Sequence, residues 1–426
     1  MKKVSLNNND NNSVEKQCPD DSLRKGLFNK NFMLLWIGQL VSAFGNAIQY
    51  IALMWWVLEV TKSPAVLGNV FALAVLPRVI LGPIAGVVVD RVNRKWIIVL
   101  ADLFRGVIIV WMGLMALKGT LQVWQLYVIA LLISFAGAFF DPAIGSSIPN
   151  LVADKHLTRA NSLYSMGSQA SNIVGPGVAG ILIAVAGAPL VFLLNGITYF
   201  FSGISEMFIS MCSSHNGGIT LKSTIDDLKE GFYFIVRQGY MIKMLITFAA
   251  LNFFISPIDV ILPKYVKSDL GYGAGEFGIL MALFSVGFVV GGGILSISPE
   301  IKQKHIPIIW GIVGVSSLVA IFTLIPTLWY IYTISFVMGV LLALVNILIN
   351  VFIQKVVPDE KRGRVFSVMG TLSGGLQPIS LALVGYTLSI ISVRMLTIVM
   401  GISSAFFGLF LYTIPNIKEI FTTKAQ

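Results

Sequence analysis

The sequence predicts an all-α membrane protein with twelve transmembrane helices in two six-helix bundles and both termini on the cytoplasmic side. Three features lead to that reading: an apolar composition with little charge, basic residues confined to alternate connections, and a short internal repeat between the halves.

Hydrophobic residues make up 56% of the chain and charged residues 12%, and the mean hydropathy is +0.83. Soluble domains carry about 25% charged residues. A 426-residue chain folding in water would not need so much apolar surface, so the excess must face lipid. Crossing a bilayer takes about 20 mostly apolar residues. Windows of that length place spans at 31–59, 65–89, 96–117, 122–141, 161–187, 190–212, 241–263, 275–297, 307–325, 328–352, 365–390 and 395–415. The chain divides into a tail (1–30), an N-terminal bundle (31–212), a cytoplasmic linker (213–240), a C-terminal bundle (241–415) and a second tail (416–426). The linker holds a helix-like segment, Thr224–Arg237. The first tail is Asn-rich and charged, which reads as disorder rather than a signal peptide.

Of the 30 Lys and Arg residues, 23 fall on the side that carries the termini and five (Lys62, Lys118, Lys264, Lys267 and Arg394) on the other. Arg78 and Arg105 lie inside spans. Basic loops stay on the cytoplasmic side, which predicts both termini inside. The repeat supports two halves: Val152-Ala-Asp154 precedes Ser165-Met-Gly167 and Gly175-Pro176, and Val357-Pro-Asp359 precedes Ser367-Val-Met-Gly370 and Gln377-Pro378. Such a match suits parallel repeats related by an axis along the membrane normal.

The same features exclude other classes. The net charge of +10 is spread over short clusters between apolar runs, unlike the single basic face of a nucleic-acid binder. Cys18 and Cys212 give neither a disulfide framework nor a metal spacing, and His156, His215 and His305 fall in expected loops. No nucleotide-binding Gly-rich loop, intramembrane histidine or long soluble domain is present in the sequence, which argues against an ATP-driven pump, an enzyme or a sensor. No cofactor is expected, and a small-molecule substrate, protons and the bilayer are the expected partners of a monomer.

Taken in order along the chain, the first span carries Gln39, Ser42, Gly45, Asn46 and Gln49 at steps of three or four, a polar stripe that must face other helices or a cavity. Arg78 sits about 18 Å from the Asp90 end of the second span at ~1.5 Å per residue. It needs an acid, an anionic substrate or a wet cavity. The connection after that span reads Gly82-Pro-Ile-Ala-Gly86-Val-Val-Val-Asp90-Arg91-Val-Asn-Arg94-Lys95. Gly86 permits close helix approach, Asp90 can cap or pair at a helix end, and the basic residues suit cytoplasmic headgroups. Asp102 and Arg105 follow one turn apart in the third span and can share a face as an inward ion pair.

Asp141 ends the fourth expected span and reads as a cap for the turn at Pro142. In the fifth, Gly167, Gly175, Pro176, Gly177 and Gly180 form a small-residue stripe with a proline that frees a backbone carbonyl. Asp259, two residues after Pro257 in the seventh, is either a proton carrier in a cavity or a solvated carboxylate near the outer mouth. Carboxyls removed from water hold protons more tightly, as a carrier must. Glu206 and Glu59 are further candidates for the proton pathway, expected to be more exposed because they lie near span ends.

The Gly86–Lys95 connection resembles the signature loop of the major facilitator superfamily: glycine, three residues, Asp-Arg, then two basic residues. The resemblance implies the major facilitator fold, with Asp90 and the basic residues holding the outward-open state against the second half. The corresponding turn there, Ser298-Pro-Glu300-Ile-Lys302-Gln-Lys304, is degenerate. Gly175-Pro176 and Gly180 resemble the Gly-Pro motif in the fifth helix of drug antiporters, without its doubled final glycine. Leu35-Trp-Ile-Gly38-Gln39, Thr61-Lys-Ser63-Pro-Ala-Val-Leu-Gly68, Ala101-Asp102-Leu-Phe-Arg105 and Phe139-Phe-Asp-Pro142-Ala143 resemble the macrolide-efflux and siderophore-export branch. That resemblance implies proton-coupled export of amphiphilic compounds from the cell membrane. Uptake or flipping of an anionic nutrient or lysolipid on the same fold is the alternative that Arg78 favours.

Overall fold

The computed structural model describes residues 26–211, 229–230, 232–233, 235–298, 305–357, 368–372 and 374–414, and helix is their only regular secondary structure. Thirteen helices are placed: α1 Lys30–Thr61, α2 Pro64–Arg91, α3 Arg94–Leu117, α4 Val123–Leu151, α5 Leu157–Ala186, α6 Ala188–Met207, α7 Gly239–Ile255, α8 Ile258–Lys264, α9 Ala274–Ile297, α10 His305–Ile321, α11 Leu328–Val356, α12 Gln377–Thr387 and α13 Val393–Phe410. Residues 368–372 are also helical and lead into α12. Among the described residues, eleven helical stretches are long and apolar enough to cross a membrane, and α10 is a shorter apolar helix of 17 residues.

Local chemistry sets the ends. Asn29 Oδ1 accepts from the Phe32 amide at 2.9 Å, and its Nδ2 donates to the Leu151 carbonyl at 2.7 Å, tying the start of α1 to the end of α4. The α1–α2 turn takes two residues: Lys62 adopts the left-handed region at φ 53°, and Ser63 caps α2 ahead of Pro64. Asn93 and Ser392 cap α3 and α13 in the same way.

Several expected bounds change. The fourth helix does not stop at Pro142 but runs to Leu151, with Pro142 and Pro149 inside it. The Ser146 and Ser147 hydroxyls donate to the Ala143 carbonyl, and Asn150 to the Ser146 carbonyl, adding side-chain bonds to the turns around the two prolines. The seventh expected span is interrupted, because Pro257 has no N–H for the Phe253 carbonyl. The Ser380 hydroxyl of α12 donates to that carbonyl instead. A second proline, Pro263, precedes a π-helical turn over Tyr265–Asp269, where the Leu270 amide reaches back to Tyr265 at 3.0 Å. His305 is not in a loop: it opens α10 and is buried. The tail 1–25, most of the 213–240 linker, the 299–304 turn, Ser367 and the tail 415–426 lie outside the described residues, as do Cys18, Cys212 and His215.

In the first half α1 packs on α5 and α6, α2 on α4, and α3 on α4 and α6; in the second, α9 packs on α11, and α10 on α11 and α13. The halves meet through α2 against α12 and α5 against α9. Glycine makes both approaches possible: a Cβ on Gly180 would collide with the Gly278 backbone, and one on Gly68 with the Leu381 carbonyl. Pro176 supports the second seam, since the Asn172 carbonyl it leaves free accepts from Ser285 of α9 at 3.4 Å.

The apolar core follows the same asymmetry. One buried cluster, with Trp55, Leu67, Phe192, Val260, Phe277 and Leu381, unites both halves near the α1–α2 turn. Toward the α2–α3 turn the core splits into a first-half cluster around Phe32, Ile98 and Ile148 and a second-half cluster around Met244, Ile308 and Leu348. The halves are closed at the α1–α2 end and apart at the α2–α3 end. Gly180→Val is expected to overpack the seam by about 1–3 kcal/mol, read as a lower unfolding midpoint in mixed micelles and faster labelling of a cysteine placed at Tyr50.

Candidate functional site

Two cavities with polar groups in their walls lie between the described helices and approach each other at Tyr50 and Asp259. One, about 320 Å³, lies within the first half and is lined by Asn46, Gln49, Tyr50, Arg78, Arg105 and Tyr199, with apolar residues of α2 and α4. The other, about 530 Å³, is walled by α7, α8, α10 and α11, with Asn252, Ser256, Asp259, Asn346 and Asn350 among apolar side chains. Both are of the size and character of small-molecule sites, mostly apolar with a few placed polar groups. The Tyr50 hydroxyl donates to Asp259 Oδ2 at 2.6 Å and joins one cavity wall to the other.

Asp259 is placed here by the broken helix: Pro257 ends the preceding turn, and Asp259 falls in the first turn of α8. Arg78 finds an acid, since its Nε lies 3.8 Å from Asp141 Oδ2 and both side chains are about half-exposed. Asp141 is therefore not a terminal cap but a half-exposed partner of Arg78 within α4. Gly137, one turn earlier, leaves the space that the Arg78 guanidinium occupies.

The α1 stripe splits along its length. Gln49 and Asn46 accept from the Asn195 amide, the latter at 3.3 Å, and both border the first cavity. Ser42 and Gly45 are buried, and Gly45 packs on Asn195 and Thr198 of α6. Gln39 joins a buried cluster. Its Nε2 donates to Glu206 Oε1 at 2.7 Å, to Ser202 Oγ at 3.1 Å and to Asp102 Oδ2 at 3.4 Å.

Arg105 Nη2 donates to Asp102 Oδ1 at 2.5 Å and its Nε to the Ala101 carbonyl at 3.2 Å. The guanidinium lies 3.9 Å from the Phe140 ring centroid and 4.9 Å from that of Tyr199. Glu206 is 1% exposed, contrary to the exposure expected from its place near a helix end, because α1 and α3 pack over the last turns of α6.

The remaining candidates stand apart from the cavities. Gly175 packs on Ala47, Gly180 on Gly278, and Pro176 is buried in α5, so the fifth-helix motif forms helix contacts. Gly86 in α2 has no neighbour within reach of a Cβ. Arg91 is exposed, Arg94 Nη1 donates to the Ser146 carbonyl at 3.1 Å, and Lys95 lies 5.8 Å from the Trp96 ring. The Asp90 side chain lies outside the description. Glu59 pairs with Lys267 at 3.5 Å near the closed end. Lys267 also lies 4.4 Å from the Trp55 ring. Sequence reasoning missed Tyr50, Asn195, Tyr199, Asn252, Asn346 and Asn350. Asn195, Thr198, Ser202 and Glu206 repeat the three-or-four spacing used to read α1, so the same rule would have found the α6 face.

Among the described residues no cluster of His, Cys, Asp and Glu suits a metal ion. The buried pair makes a sharp energetic claim. Arg105→Ala should destabilise by about 3–5 kcal/mol by stranding a charge, and adding Asp102→Ala should recover part of that loss; a double-mutant cycle of unfolding in mixed micelles measures both.

The sequence profile of the Major Facilitator Superfamily matches residues 35–380. Macrolide efflux protein A of Streptococcus pyogenes is 26% identical over 356 residues, covering 83% of this chain and 88% of that protein. The multidrug efflux pump Tap of Mycolicibacterium fortuitum is 22% identical over 402 residues, covering 91% and 96%. Among solved structures, the nucleoside transporter NupG is similar in fold, with a TM-score of 0.69 at 14% identity over 90% of this chain and 99% of that one.

Proposed function

The chain belongs to the Major Facilitator Superfamily, and from that premise we propose that it exports amphiphilic small molecules, macrolide-type drugs or siderophore-like compounds, by proton antiport with alternating access. In this reading α10 completes a set of twelve spans in two six-helix bundles, both termini are cytoplasmic, and the monomer works in the cell membrane without a cofactor. The α2–α3 end is then the cytoplasmic end, and the conformation is open inward.

The observation that carries the proposal is the Tyr50–Asp259 hydrogen bond where the two cavities approach each other. A carboxyl at the closed tip of a largely apolar cavity, bonded across the two halves, can link its protonation to separation of those halves. Protonation leaves Asp259 an O–H donor and weakens its need for the Tyr50 hydroxyl. Rocking about the glycine seams then opens the outer end. The apolar lining suits an amphiphile, and the efflux proteins of similar sequence support the outward direction.

Asp259→Asn is expected to abolish efflux of a dye or macrolide driven by a pH gradient in energised vesicles while leaving substrate counterflow; retained proton dependence would remove Asp259 from coupling. The Arg78–Asp141 pair favours a second reading, uptake or flipping of an anionic nutrient or lysolipid, because an anion can replace so loose and exposed a partner. On that reading Arg78→Gln weakens counterflow of the anion about tenfold or more, as loss of a charged hydrogen bond does, whereas macrolide export changes little.

A further inference from the structure

Among the described residues, Asp102 and Glu206 share a buried enclosure with one cation, Arg105. Asp102 is fully buried, Glu206 is 1% exposed and Arg105 is 3% exposed. Arg105 is committed to Asp102 at 2.5 Å, and its faces are covered by Phe140 and Tyr199. With both carboxyls ionised the enclosure would carry one uncompensated negative charge, a state that burial penalises heavily. The Gln39 amide does not repair this. It has two N–H hydrogens and faces three acceptors, Glu206 Oε1, Ser202 Oγ and Asp102 Oδ2. The Ser202 hydroxyl donates to Glu206 Oε1 as well, at 3.3 Å, so both available donors point at one carboxyl oxygen. The other oxygen, Glu206 Oε2, is buried and has no hydrogen-bond partner.

We propose that Glu206 is a second proton-binding site of this protein, separate from Asp259 and occupied in the conformation described here. A proton on Oε2 supplies what the geometry lacks: it cancels the excess charge and leaves Oε1 to accept from Gln39 and Ser202. The titratable and charged groups around Glu206 are Asp102 and Arg105 of α3, Tyr199 on its own helix and Tyr164 of α5, with Asp141 of α4 on the Arg105 side. None of them offers a second cation.

Neighbours of Glu206 border two cavities. Arg105 lines the first cavity, and a cavity of about 30 Å³ bordered by Gln39, Tyr164 and Ser168 has room for one or two waters. Gln39 sits on α1, the helix whose Tyr50 bonds Asp259, so a change at Glu206 acts on the helix that seals the other end. That link to transport rests on the proton-antiport reading; occupancy of the site by a proton does not.

The test is infrared spectroscopy of the full chain in liposomes at neutral pH, with ordinary and with heavy-carbon glutamate. Among the described residues Glu206 is the one buried glutamate, and the Glu206→Gln variant separates its band from that of any other glutamate. The expected result is a protonated-carboxyl band that shifts on glutamate labelling, is lost in Glu206→Gln and persists in Asp259→Asn. The absence of a glutamate-derived band, or its persistence in Glu206→Gln, overturns the proposal. If Glu206→Gln does not fold, Glu206→Asp takes its place, and the glutamate-shifted band is expected to be lost there too. A failure of Asp259→Asn to alter efflux would count against the coupling role of Asp259 and leave this result untouched.

Discussion

A polar group enclosed within the bilayer's hydrocarbon has no water to turn to, and every such group must find its partner inside the protein. The architecture follows from how that demand is met. Pro257 breaks a span, and Ser380 from another helix takes the Phe253 carbonyl. Pro176 frees the Asn172 carbonyl, and Ser285 from the opposite half takes it. Gln39 draws α1, α3 and α6 together around two carboxyls and a guanidinium.

These partnerships differ in permanence. The Gln39 cluster is formed within one half, and in the proposed alternating-access cycle it moves as a unit with it. The Tyr50–Asp259, Ser285–Asn172 and Asn69–Tyr386 bonds cross between halves, and in the proposed cycle they must break when the α1–α2 end opens. The apolar core has the same division. A shared cluster is present at the closed end and a separate cluster in each half at the open end. In the proposed cycle the separate clusters would let each half stay packed during rocking. The shared one is what opening would expose, at the close backbone contacts of Gly68 and Gly180.

The spans, the one-sided charge and the inward-facing stripe on α1 were legible in the sequence because each depends on periodicity along a single helix. What required three dimensions was less visible. Glu206 lies near the end of α6 and reads as exposed, yet Gln39, 167 positions earlier, covers it. Asp141 reads as a cap because Pro142 follows it. Proline often ends helices in water, but here α4 continues through both Pro142 and Pro149 to Leu151. Arg78 reads as needing an acid, and it has one; that acid was hidden by the misplaced end of α4. Tyr50 escapes a sequence reading because aromatics near span ends are so often interfacial anchors.

The central claim is that transport requires the closed seam to part while each half stays intact. Cross-linking the seam tests this most directly. With Cys18 and Cys212 replaced by serine, cysteines at Asn69 and Tyr386, whose side chains now bond at 3.0 Å, are joined by a short bifunctional reagent. Substrate counterflow in liposomes is measured before and after. The account predicts that transport stops on cross-linking and survives when either cysteine is present alone. Undiminished counterflow in fully cross-linked protein would contradict it.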